Sequence, residues 1–124
     1  PGPECYCGLH GCIEPFLSGP ALAADFKHSS GLDCETQDIT SLTSKEAEDA
    51  LGRYERRLAK ALAGVINILD PDVIVLGGGL SNTTRLYENV PAHLLQWVFS
   101  DQVDTRLVAN QWGDSSGVRG AAWL

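Results

Sequence analysis

Residues 43 to 80 combine an amphipathic helix, a short apolar run and three consecutive glycines, and this order restricts the fold. Thr43 followed by Glu46 is a capping-box pattern, which predicts the start of the helix. Apolar residues at steps of three and four predict one buried helical face, formed by Ala47, Leu51, Tyr54, Leu58, Leu62, Val65, Ile66 and Leu69. Pro71 ends this helix, and Gly52 predicts a bend or a join between two helices.

The rest of the chain has the alternating elements of an α/β protein. The four apolar residues at 73–76 do not alternate with polar ones, which predicts a strand buried on both faces of a parallel or mixed sheet. A helix capped by Asn82 or Thr83 should reach about residue 97. A strand at about 106–110 and a last helix at about 115–123 follow, whereas residues 31–44 have turn-forming composition and predict a surface connection. The sequence therefore predicts an α/β fold.

Composition excludes several classes of protein. With 124 residues, 44% of them hydrophobic, the chain suits one folded domain and no disordered or fibrous class. Nine Lys and Arg against 16 Asp and Glu give a net charge of −7, which does not favour free nucleic acid as a partner. No apolar stretch approaches the roughly 20 residues of a membrane helix, and no secretory signal is visible. We expect a cytoplasmic protein that, having no Met, is processed or is a piece of a longer chain.

Cysteines at the start of the chain predict a metal site. Cys5, Cys7 and Cys12 form the pattern Cys-x-Cys-Gly-x-x-Gly-Cys, in which the two glycines let the backbone fold tightly around the thiolates. Disulfides are the alternative, but neighbouring cysteines two residues apart would form a strained bridge and three thiols cannot all pair. The spacing therefore favours a zinc knuckle over residues 5–12.

Three thiolates leave a structural zinc site one ligand short. His10 lies inside the loop and Cys34 follows it at a distance, so both are candidates for the fourth ligand. We expect instead a ligand from a segment upstream of this chain. His28 and His93 are predicted to be ordinary helix-surface or core-edge residues.

Three segments together resemble one protein family. The sequence Cys-Tyr-Cys-Gly-Leu-His-Gly-Cys-Ile-Glu at 5–14 is similar to the zinc knuckle of the ROK family (repressors, open reading frames and kinases). Residues 70–81 resemble the family's C-terminal strand and glycine turn. Residues 113–122 resemble the closing helix of its fructokinase and mannokinase branch. The resemblance implies the actin-like, hexokinase-like (ribonuclease H-like) ATPase fold.

On this resemblance, residues 1–124 are a single C-terminal lobe of a two-lobe ATP-dependent sugar kinase, with a nucleotide-side turn at 76–81. Nothing in the chain matches the family's Asp-x-Gly-Gly-Thr phosphate segment, its Asn-Asp pair with the catalytic base, or its Glu-x-Gly-His segment with the fourth zinc ligand. The resemblance implies that this chain alone is inactive, that the full enzyme uses Mg²⁺ with ATP, and that it is a homodimer. It also implies that part of the exposed apolar surface is an interface for the missing lobe.

Glu14 is the candidate sugar ligand. It begins a predicted short helix with Pro15 at the first position, where the helix dipole favours a carboxylate. Its two oxygens can accept hydrogen bonds from neighbouring sugar hydroxyls, and the resemblance implies this role. The alternative is a helix-terminal charge without a ligand.

Gly77, Gly78 and Gly79 are the candidate nucleotide contacts. Glycines between a strand and a helix let the backbone approach a nucleotide closely, and the resemblance implies an adenosine pocket beside them. The segment is not a P-loop, because it lacks Gly-Lys-Ser/Thr. A tight strand-to-helix turn without a ligand is the alternative.

Two other functions compete with a hexose kinase of the fructokinase type. One is the effector domain of a sugar-sensing transcriptional repressor, because the ROK family includes such repressors with the same knuckle. The other is a zinc-stabilised interaction module. Fructose, mannose, glucose and N-acetylglucosamine all remain candidate sugars.

Overall fold

A computed structural model describes residues 2–113 and 115–122 of the chain. In order along the chain, its elements are α1 (Glu14–Leu17), α2 (Gly19–Ser30), α3 (Thr36–Ile39), α4 (Lys45–Leu69), β1 (Val73–Leu76), a 3₁₀ helix (Gly79–Asn82), α5 (Arg85–Leu94), β2 (Arg106–Ala109) and α6 (Ser116–Ala121). The predicted α/β class is confirmed. The chain divides into two compact units, one up to Leu58 and one from Ala59 onward.

The first unit is helical and has its own apolar core. The apolar side chains of α2, α3 and the first half of α4 that are buried in it are Leu22, Phe26, Ile39, Ala47, Ala50, Leu51, Tyr54 and Leu58. The predicted surface connection at 31–44 was wrong in one respect, since it contains α3. Ile39 is completely buried there, and Thr36 Oγ1 donates to the Gly19 carbonyl at 2.8 Å. One apolar residue without a period gives no sequence signal for such a short helix.

Helix α4 begins one residue later than the capping-box pattern predicts. The Ser44 hydroxyl, not that of Thr43, accepts from the Ala47 amide at 3.2 Å. The predicted join between two helices at Gly52 is wrong, because α4 continues from Lys45 to Leu69, whereas the alternative of a bend stays a prediction. A single glycine costs a helix only about 1 kcal/mol relative to alanine, which the packed face of a 25-residue helix offsets.

The second unit contains a parallel pair of strands, as predicted. Val73 pairs with Arg106 and Leu76 with Ala109. The predicted burial of β1 on both faces is wrong for the chain as described: Ile74 and Leu76 are half-buried, whereas Val75 is 57% exposed. Val73, on the same face as Val75, is 36% exposed.

Two predictions about the helices of the second unit were also wrong. Val65 and Leu69, assigned to the buried face of α4, are exposed, whereas Ile66 is buried. Helix α5 ends at Leu94, and its N-cap residue is Thr84, with no side-chain capping bond. The 3₁₀ helix at Gly79–Asn82 delays its start.

The core of the second unit is formed by Ala59, Ala63, Ile66, Leu86, Val90 and Leu94. The predicted end of the last helix at 123 lies outside the described residues. None of the helices that the structure describes has the length and apolar composition needed to cross a membrane.

Candidate functional site

The cysteine loop is a small hairpin closed by backbone hydrogen bonds. Glu4 and His10 form an antiparallel bridge, and the Cys5 amide donates to the Leu9 carbonyl at 2.9 Å. Gly8 and Gly11 have φ values of 84° and 75°, a conformation that residues with a Cβ rarely adopt. Their place in the pattern is therefore required by the turn that brings the thiols together.

The three thiols of this hairpin form one cluster. The sulfurs of Cys5, Cys7 and Cys12 lie within 4.8 Å of one another, and those of Cys7 and Cys12 are 3.5 Å apart. Around a tetrahedral zinc ion with Zn–S bonds of about 2.3 Å, two sulfurs are about 3.8 Å apart. The donor set and its spacing fit zinc, and the four cysteines are all free thiols.

The thiols polarise one another. A hydrogen bond from the Leu9 backbone lowers the pKa of Cys7, with further hydrogen bonds from the other two thiols. The hydrogen bond to Cys7 raises the pKa of Cys12 to about 11. A metal ion at this cluster would displace the remaining thiol protons, because zinc binds thiolates.

Neither predicted in-chain candidate for a fourth ligand joins the cluster. Among residues 2–113 and 115–122, these three thiols are the only set of three or more His, Cys, Asp or Glu side chains close enough together to share one metal ion. His10 is exposed in the hairpin, and Cys34 is half-buried beyond α2. A ligand from upstream of the chain stays a prediction.

Glu14 follows the cluster directly. It is the first residue of α1, two residues after Cys12, with Pro15 in the same first turn as predicted. The side chain of Glu14 is exposed. Because α1 has only four residues, its dipole contributes little, and the position of Glu14 depends on how α1 is held.

Two side chains of α4 hold α1. The Tyr54 hydroxyl donates to the Leu17 carbonyl at 2.9 Å, and the Arg57 guanidinium lies 5.6 Å from the centroid of the Phe16 ring. Asp25 of α2 pairs with Arg53 at 2.9 Å and with Arg57 at 3.4 Å, which fixes both arginines. The sequence predicted Tyr54 only as a core residue, because no local pattern indicates a partner 37 residues away.

The glycine turn lies at the carboxyl end of β1. Gly78 has φ 83° and ψ 174°, a conformation essentially restricted to glycine. A Cβ added to Gly77, Gly78 or Gly79 would meet no heavy atom within 4 Å, so the turn is open. An open, side-chain-free turn after a parallel strand suits close approach of a ligand.

Comparison with known proteins identifies the relatives of this chain. A family model described as "ROK family" matches residues 1–124. The N-acetyl-D-glucosamine kinase of Shigella boydii serotype 4 (strain Sb227) is 38% identical over 128 residues, covering 98% of this chain and 41% of the relative. The kinase of the same name from Escherichia coli O1:K1 / APEC gives the same values. This chain therefore spans about two fifths of the length of the curated relatives it matches.

Solved structures agree in fold. A ROK hexokinase from Thermus thermophilus has a TM-score of 0.81 and 28% identity, over 98% of this chain and 44% of that one. A ROK glucokinase from Streptomyces griseus has a TM-score of 0.88 at 24% identity, over 98% of this chain and 46% of that one, and this likeness shows the fold alone. These neighbours have the α/β actin-like ATPase fold. With a family match along its whole length and relatives at 38% identity, this chain belongs to the ROK family.

Proposed function

We propose that this chain is the C-terminal lobe of an ATP-dependent hexose kinase, with the sugar bound at Glu14 and the nucleotide at Gly77, Gly78 and Gly79. The observation that carries the proposal is the placement of Glu14, two residues after a cluster of three thiols and on a helix held by α4. Support comes from the relatives that are N-acetyl-D-glucosamine kinases and from the similar ROK hexokinase.

Zinc is the structural metal in this proposal. Cys5, Cys7 and Cys12 would hold it, together with a fourth ligand from the rest of the protein. The ion supplies a rigid crosslink across the hairpin and takes no part in the chemistry. Since the last thiolate precedes Glu14 by two residues, the crosslink would fix the turn from which Glu14 projects.

Glu14 orients the sugar. An exposed carboxylate can accept hydrogen bonds from two neighbouring hydroxyls, which fixes the ring and its reacting hydroxyl. Tyr54 and Arg57 act through α1 and limit the positions that Glu14 can take. This arrangement lowers the entropy lost when the sugar binds.

The glycine turn contributes to ATP binding through its backbone. Mg²⁺ accompanies ATP and neutralises charge on the phosphates in phosphoryl transfer. The sugar hydroxyl oxygen forms a bond to the γ-phosphorus, the bond from that phosphorus to the β-γ bridging oxygen breaks, and ADP leaves. The hydroxyl proton passes to an aspartate that we expect in the other lobe, so this chain by itself is inactive.

Exposed apolar side chains of the second unit support the proposal of another lobe. Val75 is 57% exposed and Ile68 is 82% exposed, although both lie in apolar segments of the second unit. In this proposal the other lobe covers these side chains. A cytoplasmic homodimer of two-lobe subunits remains part of the proposal.

The relatives and the closing segment suggest different sugars. Residues 113–122 resemble the fructokinase and mannokinase branch, whereas the curated relatives act by name on N-acetyl-D-glucosamine. The test is ATP-dependent phosphorylation by the full-length protein of fructose, mannose, glucose and N-acetylglucosamine. Glu14→Gln should raise the KM of the best sugar with little change in the KM of ATP. Glu35→Gln, an exposed carboxylate before α3, is the matched control.

Two results would remove the proposal. If no hexose is phosphorylated but one binds, the effector domain of a sugar-sensing repressor becomes the better description. A ROK transcriptional regulator, a homologue of the E. coli MLC protein, shares the fold at a TM-score of 0.79 and 23% identity. If no hexose binds at all, an interaction module becomes the better description. An unchanged kcat/KM for Glu14→Gln would remove Glu14 from the site.

A further inference from the structure

The glycine turn is joined to the second strand by a side chain that no sequence pattern indicates. Asn110 follows β2 immediately, at the same edge of the sheet where β1 ends. Its Nδ2 donates to the Leu76 carbonyl at 3.1 Å and to Ser81 Oγ at 3.0 Å. One amide group therefore bonds to the residue before the three glycines and to a residue just after them.

The hydrogen bonds continue through the turn. The buried Ser81 hydroxyl donates to the Gly78 carbonyl at 2.6 Å. The Tyr87 hydroxyl of α5 donates to the Ser81 carbonyl at 2.6 Å. Asn110, Ser81 and Tyr87 thus fix a turn whose central glycine has a conformation that other residues avoid.

The hydrogen bonds that Asn110 makes to the turn both come from its amide nitrogen. Its Oδ1 is buried and has no hydrogen-bond partner among the residues that the structure describes. The two bonds of Nδ2 are therefore what ties the Asn110 side chain to both ends of the glycine turn.

We infer that Asn110 and Ser81 are positioning residues for the nucleotide: they hold the open backbone of Gly77, Gly78 and Gly79 in the shape that contacts ATP. The inference rests on the proposed function, because it assumes that the turn contacts the nucleotide. Neither side chain needs to touch ATP. Their effect passes through the backbone of the turn.

The test measures the KM of ATP and the KM of the sugar separately in the full-length protein, with the best hexose of the four. Asn110→Ala should raise the KM of ATP about 2- to 10-fold, the range that the loss of an ordinary hydrogen bond produces. The KM of the sugar should stay within about twofold. Ser81→Ala, which removes a smaller group, should also raise the KM of ATP. The double variant should raise this KM by less than the product of the two single effects, because both residues act through one network.

The same strand pair provides a matched control at its other end. Thr105 precedes β2, and its Oγ1 donates to the Pro71 carbonyl at 2.7 Å. Thr105→Val also removes a hydrogen bond from a side chain to a backbone carbonyl. This bond joins the same two segments, but at the end of the strands that lies away from the glycines. It should leave the KM of ATP unchanged, even if its melting temperature falls as much as that of Asn110→Ala.

Gly78→Ala separates the possible failures. If Gly78→Ala raises the KM of ATP and Asn110→Ala does not, the inference is wrong and the proposed nucleotide contact stands. An equal rise in Thr105→Val and Asn110→Ala also overturns the inference, because general loosening of the sheet would then explain it. If Gly78→Ala leaves the KM of ATP unchanged in an active kinase, the turn is not the nucleotide contact, and both statements fail.

Discussion

The hydroxyl of Tyr54 offers the sharpest test of how α1 is held. Tyr54 is 5% exposed, and its hydroxyl donates to the carbonyl of Leu17 at 2.9 Å. Leu17 ends α1, where backbone carbonyls have no partner within the helix. Tyr54→Phe removes this one donor and keeps the ring that packs in the core.

The expected loss follows from these contacts. A hydrogen bond of this kind contributes about 0.5–1.5 kcal/mol net, and an acceptor left without a donor adds to the loss when it is buried. Because Leu17 is half-buried, water can replace part of the bond, and we expect a loss of about 1 kcal/mol. That corresponds to an opening of α1 roughly 5-fold more frequent than in the wild type.

Native-state hydrogen exchange measures this opening locally in the full-length protein. The amides of Phe16, Leu17 and Ser18 bond to carbonyls at Ile13 and Glu14, so a peptide covering them reports on α1. In Tyr54→Phe, the amides of this peptide should exchange about 5-fold faster than in the wild type. The exchange rates of peptides from β1 and β2 should be unchanged. Tyr6→Phe is the control, because Tyr6 is 90% exposed. Equal exchange in wild type and Tyr54→Phe would refute the idea that this hydroxyl holds α1.

Alkaline pH provides a second readout of the same residue. Burial raises the pKa of Tyr54 to about 12, whereas an unfolded chain has a tyrosine pKa of about 10. The stability contributed by the neutral phenol is therefore complete below about pH 10 and is lost as the pH rises toward 12. Tyr54→Phe has no such loss, so the gap in melting temperature between wild type and variant should narrow across this window. A gap that stays constant would contradict the assignment.

Three further predictions test other parts of the structure. Gly64→Ala should raise the melting temperature, because its Cβ would meet no heavy atom within 4 Å and glycine inside a helix costs about 1 kcal/mol relative to alanine; a lower melting temperature would mean that α4 is packed there. Ser44→Ala should cost about 1 kcal/mol in the free energy of unfolding as a lost N-cap, whereas Thr43→Ala should cost little; denaturant unfolding compares them. Cys7→Ser should reduce bound zinc well below one equivalent by metal analysis, while Cys34→Ser should leave it unchanged.

Local patterns predicted most of the secondary structure. The period of α4, the four-residue run of β1, the strand β2 and the proline in α1 each depend on residues close together in sequence. The errors concern features that depend on distant contacts. Ile39 is completely buried although its segment has no apolar period, and Val75 is 57% exposed although its segment is apolar throughout.

The candidate site divides in the same way. The three thiols, Glu14 and the glycine turn stand out because their spacing carries the chemistry. Tyr54 and Asn110 do not, since they meet their partners across 37 and 34 residues through helix packing and strand pairing. Sequence patterns predicted the groups proposed to touch ligands, and the structure adds the residues that hold those groups in place.

The division of the chain into two units makes the proposed kinase separable from its rivals. Glu14 and the residues that hold it belong to the first unit, whereas the glycine turn, Ser81 and Asn110 belong to the second. A kinase requires that changes at the first set act mainly on the KM of the sugar and changes at the second mainly on the KM of ATP. In a sugar-sensing repressor, changes at the first set would lower the affinity for the sugar. Changes at the second set would have no effect, because a repressor has no phosphoryl donor to bind. In an interaction module, changes at neither set would alter binding of a sugar or of ATP. The pattern of effects across both sets therefore distinguishes the three functions.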